Sequence, residues 1–279
     1  DHGYGCCSRI TMTSKPSIYF HVGLGKTGST FLQDRFFPRL MDIDYLPRNR
    51  FHLAHSFIAN HPSSRILVSR EFDQQLEVEA GKFAASFPEA HPIIVVRRPD
   101  SYIASQYRRA VKNGFRGDFK DFFDLDQDKG HFKQSDLQYD EQIEMLSQLF
   151  SQPVTVFFYE DMKADLNDYL ETWLSLLSAR VDWSKVNLKT KHASYADRQL
   201  LFLQRMAACI DLRKRPRQAF NPISFLMRII RASLRYSLLF LGKFSRSNQQ
   251  LISSEDLQRV EEAYRPMWTA LRRRYDNKG

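Results

Sequence analysis

Cysteine is scarce in this sequence of 279 residues, and long hydrophobic runs are missing. Cys6 and Cys7 are adjacent near the N-terminus and Cys209 stands alone in the body of the chain, so no disulfide framework can be built in the core and we expect a reducing compartment. No stretch approaches the roughly 18 uncharged apolar residues of a membrane-spanning helix. With 11 glycines, 11 prolines and 43% apolar residues, the composition excludes a collagen-like or wholly disordered chain and indicates a globular protein.

The N-terminal residues lack the apolar segment of a secretory signal peptide. The sequence DHGYGCCSRIT comes before Met12, which is a plausible natural start. We therefore expect residues 1–15 to be a leader that was either added to the natural chain or is disordered.

Acidic side chains are absent from residues 212–254, which carry nine basic ones. Removing these nine from the 41 lysines and arginines leaves 32, which equals the number of acidic residues, so the net charge of +9 belongs to this segment. Such a segment favours an anionic partner, either lipid headgroups, an acidic glycan or nucleic acid, although a solvated basic helix face has the same composition. Nucleic acid is the least expected partner, because the sequence has no zinc finger and no RNA-recognition signature.

Short apolar runs alternate with amphipathic segments in the first two thirds of the chain. Buried strands are predicted at residues 17–22, 65–68, 92–96 and 154–159. Helices are predicted at residues 31–40, 100–112, 137–150 and 166–177. Because helices separate the strands, we expect an α/β fold with a central parallel sheet flanked by helices.

Helical periodicity continues in the C-terminal part of the chain. It predicts helices at residues 195–212 and 225–240, and a last helix that is capped by Ser253 or Ser254 and kinked at Pro266. The 225–240 helix carries three basic residues on one stripe at helical spacing: Arg228, Arg231 and Arg235.

A glycine-rich turn, GLGKTGST at residues 23–30, follows the first predicted strand and leads into a helix. Amide groups in such a turn and in the first helical turn have no intrahelical acceptor, so they can bind a phosphate or sulfate with the help of the helix dipole. The turn is not a standard Walker A loop, because Ser29 stands where that pattern has its lysine and Lys26 lies three residues earlier. A glycine turn that binds no ligand is the alternative.

A second basic motif follows the third predicted strand. In VVRRPDSYIASQY, Arg97 at the carboxyl end of the strand is followed by Pro99 and, eight residues after the arginine, by Ser105. An arginine at this edge of a parallel sheet can make charge-assisted hydrogen bonds to a phosphate, and Ser105 would lie about two turns along the next helix.

Together the two motifs, about 70 residues apart, resemble those of sulfotransferases that use 3′-phosphoadenosine 5′-phosphosulfate (PAPS). Residues 25–30 are similar to the 5′-phosphosulfate loop of that family, and Arg97 with Ser105 is similar to its 3′-phosphate motif. YDEQIEMLSQLFSQPVTVFFYEDM, at residues 139–162, looks like the family's helix, strand and Tyr-Glu-Asp segment. The resemblance is to a bacterial-type subgroup and departs from it at His192, where the subgroup has asparagine.

The resemblance implies a PAPS-binding core of P-loop type at residues 16–210, a basic helical C-terminal extension of the same domain at 211–279, and a location in the bacterial cytoplasm. It also implies in-line transfer of a sulfuryl group from PAPS to a hydroxyl or an amine, with 3′,5′-ADP as the product and no metal. Lys26 would stabilise the leaving group. The residues that it assigns to the cofactor are Gly25, Lys26, Thr27, Gly28, Ser29, Thr30, Arg97 and Ser105.

The transfer needs a general base that takes the proton of the attacking hydroxyl. His52 and His55 precede the second predicted strand, and Glu71 lies just past its carboxyl end, where it should open onto the ligand edge. The family uses a histidine or a glutamate for this step. We place His52 ahead of Glu71, with His55 third.

The sequence does not identify the acceptor, which we expect to be a hydroxylated glycan, glycolipid or small molecule. The polar, aromatic segment at residues 114–136 is either an acceptor-side element or a surface excursion. Two other classes of function stay open: a P-loop small-molecule kinase, and a non-catalytic basic adaptor that binds anionic lipid or nucleic acid.

Three interpretations of the basic segment at residues 212–246 stay open as well. In the first, a basic amphipathic helix lies on an anionic membrane surface and brings the protein to a lipid-linked acceptor at the inner face of the membrane. In the second, the apolar face of the helix packs on the domain and its arginines steer an acidic acceptor. In the third, the helix is an oligomer contact, and the sequence does not determine the oligomeric state.

Overall fold

The computed structural model describes residues 16–61, 65–188, 194–213 and 222–276. The predicted leader and His192 lie outside these ranges. Within them the strands are β1 (Ser17–Gly23), β2 (Leu40–Met41), β3 (Asp44–Leu46), β4 (Arg65–Ser69), β5 (His91–Val96), β6 (Thr155–Phe158) and β7 (Arg180–Val181). The α-helices there are α1 (Ser29–Phe31), α2 (Ala54–Ala59), α3 (Leu76–Ala84), α4 (Pro99–Lys112), α5 (Phe119–Phe122), α6 (Tyr139–Leu149), α7 (Tyr159–Ala164), α8 (Leu166–Leu177), α9 (Asp197–Cys209), α10 (Pro222–Leu241) and α11 (Ser254–Tyr275).

Five strands form one sheet in the order β3-β4-β1-β5-β6, while β2 and β7 form a separate antiparallel pair. The pairings of β1 with β4, of β1 with β5 and of β3 with β4 are parallel. The four predicted strands are confirmed as β1, β4, β5 and β6. Sequence reasoning missed β3, because three residues are too few to show a period of two. The predicted α/β fold with a central parallel sheet is therefore confirmed.

Continuous apolar runs account for the centre of this sheet. Ile66, Leu67 and Val68 of β4 are fully buried, as are the four residues 93–96 of β5. Parallel strands that are covered on both faces read as apolar throughout rather than alternating, which is why these runs were recognisable in the sequence. In β1, the ring of Phe20 stacks on that of Phe83 from α3, with centroids 4.0 Å apart.

The chain divides into two compact units, which we describe separately. The first contains the described residues up to Val95 together with residues 145–156 and 161–186, and the second contains residues 96–144, 157–160 and those from 187 onward. The glycine-rich turn, His52 and Glu71 belong to the first unit. Arg97, Ser105 and the basic C-terminal segment belong to the second.

In the second unit, α4 is attached to the chain that leads into and out of α9. Arg108 forms an ion pair with Asp197 and donates to the main-chain oxygen of Tyr195. At the end of α4, Gly114 has a φ of 94° and lies so close to Leu212 that a Cβ there would meet the Leu212 carbonyl at 2.7 Å. Glycine is therefore required at this position, both for its conformation and for the close approach.

The segment at residues 114–136 contains α5 and is held against α11. The rings of Phe122 and Phe132 are buried. Tyr264 of α11 donates through its hydroxyl to the main-chain oxygen of Gln134 at 3.1 Å. This segment is a packed part of the second unit, and its predicted role towards an acceptor stays a prediction.

Two expectations for the C-terminal helices need correction or refinement. Ser253 caps α11, because its hydroxyl accepts a hydrogen bond from the amide of Asp256, and the helix continues unbroken past Pro266 to Tyr275. In α10, the interpretation that the apolar face packs on the domain is wrong, since the arginine stripe is the packed side: Arg235 is buried and most apolar side chains are exposed. We found no helix in the described residues with the length and apolar character needed to cross a membrane.

Candidate active site

The glycine-rich turn that follows β1 has a backbone conformation that favours glycine. Gly23, Lys26 and Gly28 have φ values of 105°, 69° and 84°, all in the left-handed region. Gly28 precedes α1, and the helical path continues through one π-helical and one 3₁₀ segment to Arg39. Left-handed residues in a turn are an element of the backbone nests that bind anions.

Two hydroxyls of the turn point inward and stabilise its shape. Thr27 and Ser29 are buried, and both donate to the main-chain oxygen of Leu24, at 2.5 and 2.9 Å. The side chains of Lys26 and Thr30, in contrast, are exposed. The turn therefore uses two of its predicted cofactor residues to fix its own backbone and presents two others at its surface.

Asp73 is a residue of this site that sequence reasoning missed. Its carboxylate accepts a hydrogen bond from the amide of Gly25, at 3.1 Å. This amide of the turn is thus already oriented towards a negatively charged oxygen. The only sequence signal for Asp73 was its place a few residues past the second predicted strand, at the edge where the turn also lies.

Glu71 lies directly against the start of the turn. The main chain of the β4 strand continues to pair with β1 beyond its end, because the amide of Phe72 donates to the main-chain oxygen of Val22 at 2.9 Å. The Glu71 side chain is 24% exposed, and its Oε1 lies 3.6 Å from Nη1 of Arg48. Glu71 therefore lies just past the carboxyl end of β4 and beside the start of the turn, and its role at a ligand stays a prediction.

The two histidine candidates have different surroundings. His52 is an exposed residue of the 3₁₀ segment Arg48–Leu53, which follows β3. His55 lies in α2, where its Nε2 is 2.8 Å from Oγ of Ser86. Ser86 lies between α3 and β5, so His55 is held near the amino end of β5. The glycine-rich turn follows the carboxyl end of β1, and because β1 and β5 are parallel, the two lie at opposite edges of the sheet. This placement favours His52 over His55.

A third histidine, His21, is a structural residue of β1. Its Nδ1 lies 2.7 Å from Oγ of Ser69, which also accepts a hydrogen bond from Gln33 at 2.9 Å. Complete burial lowers the pKa of His21 to about 3, so the ring is neutral near pH 7. The ring also packs edge-to-face on Trp173, with centroids 5.6 Å apart.

In the second unit, Arg97 is held in place by two side chains. Its Nε donates to the hydroxyl of Ser101 at 2.8 Å, and its guanidinium carbon lies 4.6 Å from the ring centre of Tyr159. The hydroxyl of Tyr139 donates a hydrogen bond to the main-chain oxygen of Arg97 at 2.8 Å. Ser105 is partly exposed one helical turn beyond Ser101, so the serines share a face of α4.

Ser101 and Tyr159 also contact Arg97, although sequence reasoning assigned neither of them a role at the site. The signal for Ser101 was its place in the first turn of the helix that follows Arg97. Tyr159 stands in the Tyr-Glu-Asp segment of the resemblance, but the sequence did not connect it with Arg97, because only the tertiary structure brings its ring to the guanidinium. Both act on Arg97, by hydrogen bonding and by cation–π attraction.

A surface cavity of about 640 Å³ lies in the first unit beside the β2–β7 pair. Met41, Leu174, Arg180 and Trp183 are among the residues that line it. It contains none of the residues predicted for cofactor binding or catalysis, so we do not assign it to the candidate site.

We compared the chain with known protein families, curated proteins and solved structures. No family model matches the sequence, and no curated protein matches it at a significant level. Among solved structures, the chain is similar to a sulfotransferase from Alicyclobacillus acidocaldarius, with a TM-score of 0.50 and 16% identity, covering 70% of this chain and 94% of that one. It is also similar to mouse sulfotransferase SULT7A1 complexed with PAP, with a TM-score of 0.41 and 15% identity, covering 90% and 89% of the two chains. The first similarity shows that the chain has a sulfotransferase fold, as the sequence predicts.

Proposed function

We propose that this protein is a sulfotransferase that moves the sulfuryl group of PAPS to a hydroxyl or an amine of an acceptor. The observation that carries the proposal is the glycine-rich turn after β1, with Lys26 and Gly28 in left-handed conformations, in a chain with a sulfotransferase fold. The motif of Arg97 and Ser105 after β5 supports the same cofactor.

The chemistry of the donors fits a phosphosulfate. The exposed Lys26 supports the proposal because it adds a positive charge to the turn, whereas the amide of Gly25 is paired with the Asp73 carboxylate, which a bound anion would have to replace. We assign the 5′-phosphosulfate to residues 25–30. The 3′-phosphate we assign to Arg97 and Ser105, because an oriented guanidinium is a strong phosphate ligand.

The proposed reaction is an in-line displacement at sulfur. The acceptor oxygen forms a bond to sulfur while the bond between sulfur and the bridging oxygen breaks, and 3′,5′-ADP leaves with the electron pair of that bond. Lys26 stabilises the negative charge that develops on the bridging oxygen, and a base takes the proton of the acceptor hydroxyl. The protein contributes positioning and charge stabilisation, so the reaction needs no metal ion.

Glu71 and His52 are the two candidates for this base. The position of Glu71 against Gly23 supports the glutamate, and the exposure of His52 after β3 supports the histidine. The pH dependence of turnover in Glu71→Gln and His52→Gln separates them. We expect the variant without the base to lose about 100-fold or more in kcat, together with the acidic limb of the pH profile.

Calorimetric titration with 3′,5′-ADP, 5′-AMP and ATP-Mg²⁺ tests the cofactor. We expect 3′,5′-ADP to bind the wild type at least about tenfold more tightly than 5′-AMP, because hydrogen bonds to a charged group contribute roughly 1.5–3 kcal/mol. Arg97→Ala should remove this difference. Arg198→Ala, which removes an exposed arginine of α9, is the matched control and should preserve it.

Equal binding of the three nucleotides, or tighter binding of ATP-Mg²⁺, would contradict the proposal and favour a kinase. A non-catalytic adaptor would be favoured by two results together. The wild type would transfer no label from PAPS to any hydroxyl or amine acceptor, and Lys26→Ala would not change any measured property of the protein. The class of acceptor, whether glycan, glycolipid or small molecule, and the cytoplasmic location stay predictions that transfer assays and fractionation can address.

A further inference from the structure

Helix α10 turns its arginine stripe towards the second unit. Arg235 is 9% exposed, and its Nη1 donates to the main-chain oxygen of Leu212 at 2.8 Å. From α9, Gln199 donates through Nε2 to the main-chain oxygen of Leu239, also at 2.8 Å. A Cβ at Gly242 would lie 2.8 Å from the α-carbon of Gln199. Arg235, Leu239 and Gly242 are spaced by four and three residues, so they lie on one face of the helix, and this face is attached to the protein.

The opposite face of α10 is apolar and exposed. Of the seventeen large apolar residues that are exposed in the described part of the chain, eleven fall within residues 223–244, so they form a patch rather than scattered single side chains. Leu226 and Phe240 lie on this face at 56% and 57% exposure, and Ile223 and Phe244, at the two ends of the patch, are both 73% exposed. A surface of this kind marks an interaction site.

Cations border the apolar face. The guanidinium carbon of Arg228 lies 5.1 Å from the ring centre of Phe225, and Nζ of Lys243 lies 5.3 Å from that of Phe240. Residues 212–254 themselves contain no acidic side chain. The surface that complements this segment is therefore apolar inside and negatively charged at its boundary.

We propose that α10 lies in the plane of a membrane surface that contains anionic lipids. The apolar face enters the boundary between headgroups and acyl chains, and Lys243 and the half-buried Arg228 at its border meet the headgroups. With 20 residues, the helix is about 30 Å long and provides an extended contact along the surface. The inference does not depend on the proposed sulfotransferase activity.

A second copy of this chain is the rival occupant of the apolar face. Pairing two such faces would also bring together two basic segments that contain no acidic side chain of their own. Like charges opposed in an interface are unfavourable, and more so as water is excluded. An anionic lipid surface covers the apolar residues and neutralises the cations, so the charge pattern favours the membrane.

Sedimentation of the full chain with vesicles tests this proposal. The vesicles are phosphatidylcholine alone, or phosphatidylcholine with one third phosphatidylglycerol, at about 0.05 M and about 0.5 M salt. We expect the wild type to bind the anionic vesicles at low salt at least about tenfold more strongly than the neutral ones, with a several-fold loss at high salt. Leu226→Glu combined with Phe240→Glu should weaken this binding by about tenfold or more.

Val78→Glu is the matched control, because Val78 is 59% exposed on α3 of the first unit and should leave vesicle binding unchanged. Thermal unfolding shows separately whether each variant is folded. Absence of wild-type binding, equal binding to neutral vesicles, or full binding by the double variant would overturn the proposal. So would a concentration-dependent dimer in sedimentation velocity that the double variant abolishes, since the face would then be a self-association surface.

Discussion

The α-carbon of Glu71 lies 3.2 Å from the position that a Cβ would occupy on Gly23. The amide nitrogen of Phe72 is equally close to that position, at 3.1 Å. The turn that we assign to the phosphosulfate and one candidate for the base are thus in main-chain contact. A Cβ on residue 23 would make this contact tighter than ordinary van der Waals contacts, so glycine favours it.

Gly23→Ala should therefore destabilise the protein. The alanine would meet main-chain atoms that cannot rotate away, and it would have to adopt a φ of 105°. We expect the free energy of unfolding in urea to fall by about 2 kcal/mol or more. Gly81→Ala is the matched control, because nothing lies within 4 Å of a Cβ on Gly81 in α3, and it should be neutral or stabilising. Equal effects of the two substitutions would contradict the prediction.

Lys26→Gly should raise stability and remove activity. Lys26 holds a left-handed φ of 69°, which costs a residue with a side chain about 1 kcal/mol and glycine very little. We expect an increase in the unfolding free energy of up to about 1 kcal/mol, together with loss of sulfuryl transfer.

Ser178→Gly provides the comparison for Lys26→Gly. Ser178 ends α8 in the same left-handed region, with a φ of 46°, away from the turn in sequence. It should gain similar stability and keep its transfer rate. A Lys26→Gly enzyme with wild-type turnover would show that Lys26 does not stabilise the leaving group.

Ser101→Ala should weaken binding of the 3′-phosphate selectively. The hydroxyl of Ser101 orients the guanidinium of Arg97 through a bond of 2.8 Å without being assigned to the cofactor itself. Loss of one such bond is expected to cost about 1 kcal/mol, or roughly fivefold in the Kd of 3′,5′-ADP. The Kd of 5′-AMP, which lacks the 3′-phosphate, is the internal control and should not change. A parallel loss for both nucleotides would instead indicate a general structural defect.

His21 should make the protein sensitive to acid. Burial lowers its pKa from 6.5 to about 3, so between these values the unfolded chain binds a proton that the folded chain does not. The contribution to stability is therefore complete above pH 6.5 and is lost as the pH falls, with a slope approaching 1.4 kcal/mol per pH unit. Urea unfolding of wild type and His21→Gln between about pH 4 and pH 7 measures the difference in slope. Identical slopes would show that His21 does not titrate in this way.

Local patterns in the sequence predicted a large part of the fold. The apolar runs that became β1, β4, β5 and β6 were visible because parallel strands are buried on both faces. The glycine-rich turn was visible because Gly23 and Gly28 are needed where the chain adopts positive φ. The predicted residues Lys26, Glu71 and Arg97 lie just beyond the carboxyl ends of strands, where such sheets bind ligands, and Ser105 lies in the helix that follows β5.

Contacts between distant residues were not predictable in the same way. Asp73 reaches Gly25 across 48 residues, and Tyr159 reaches Arg97 only because β6 returns the chain to the end of β5. No local periodicity records such a meeting, since it depends on the order of strands in the sheet rather than on spacing along the chain.

The sequence by itself determined the strand–turn–helix units and the chemistry of the two phosphate motifs, because these depend on residues that are neighbours in the chain. Only the tertiary structure decided which side of α10 meets the protein. The amphipathic pattern of α10 is equally compatible with a buried apolar face. The hydrogen bond of Arg235 to Leu212 and the close approach of Gly242 to α9 show that the opposite face is the attached one. Periodicity defines the two faces of a helix, but the packing partner decides which of them is buried.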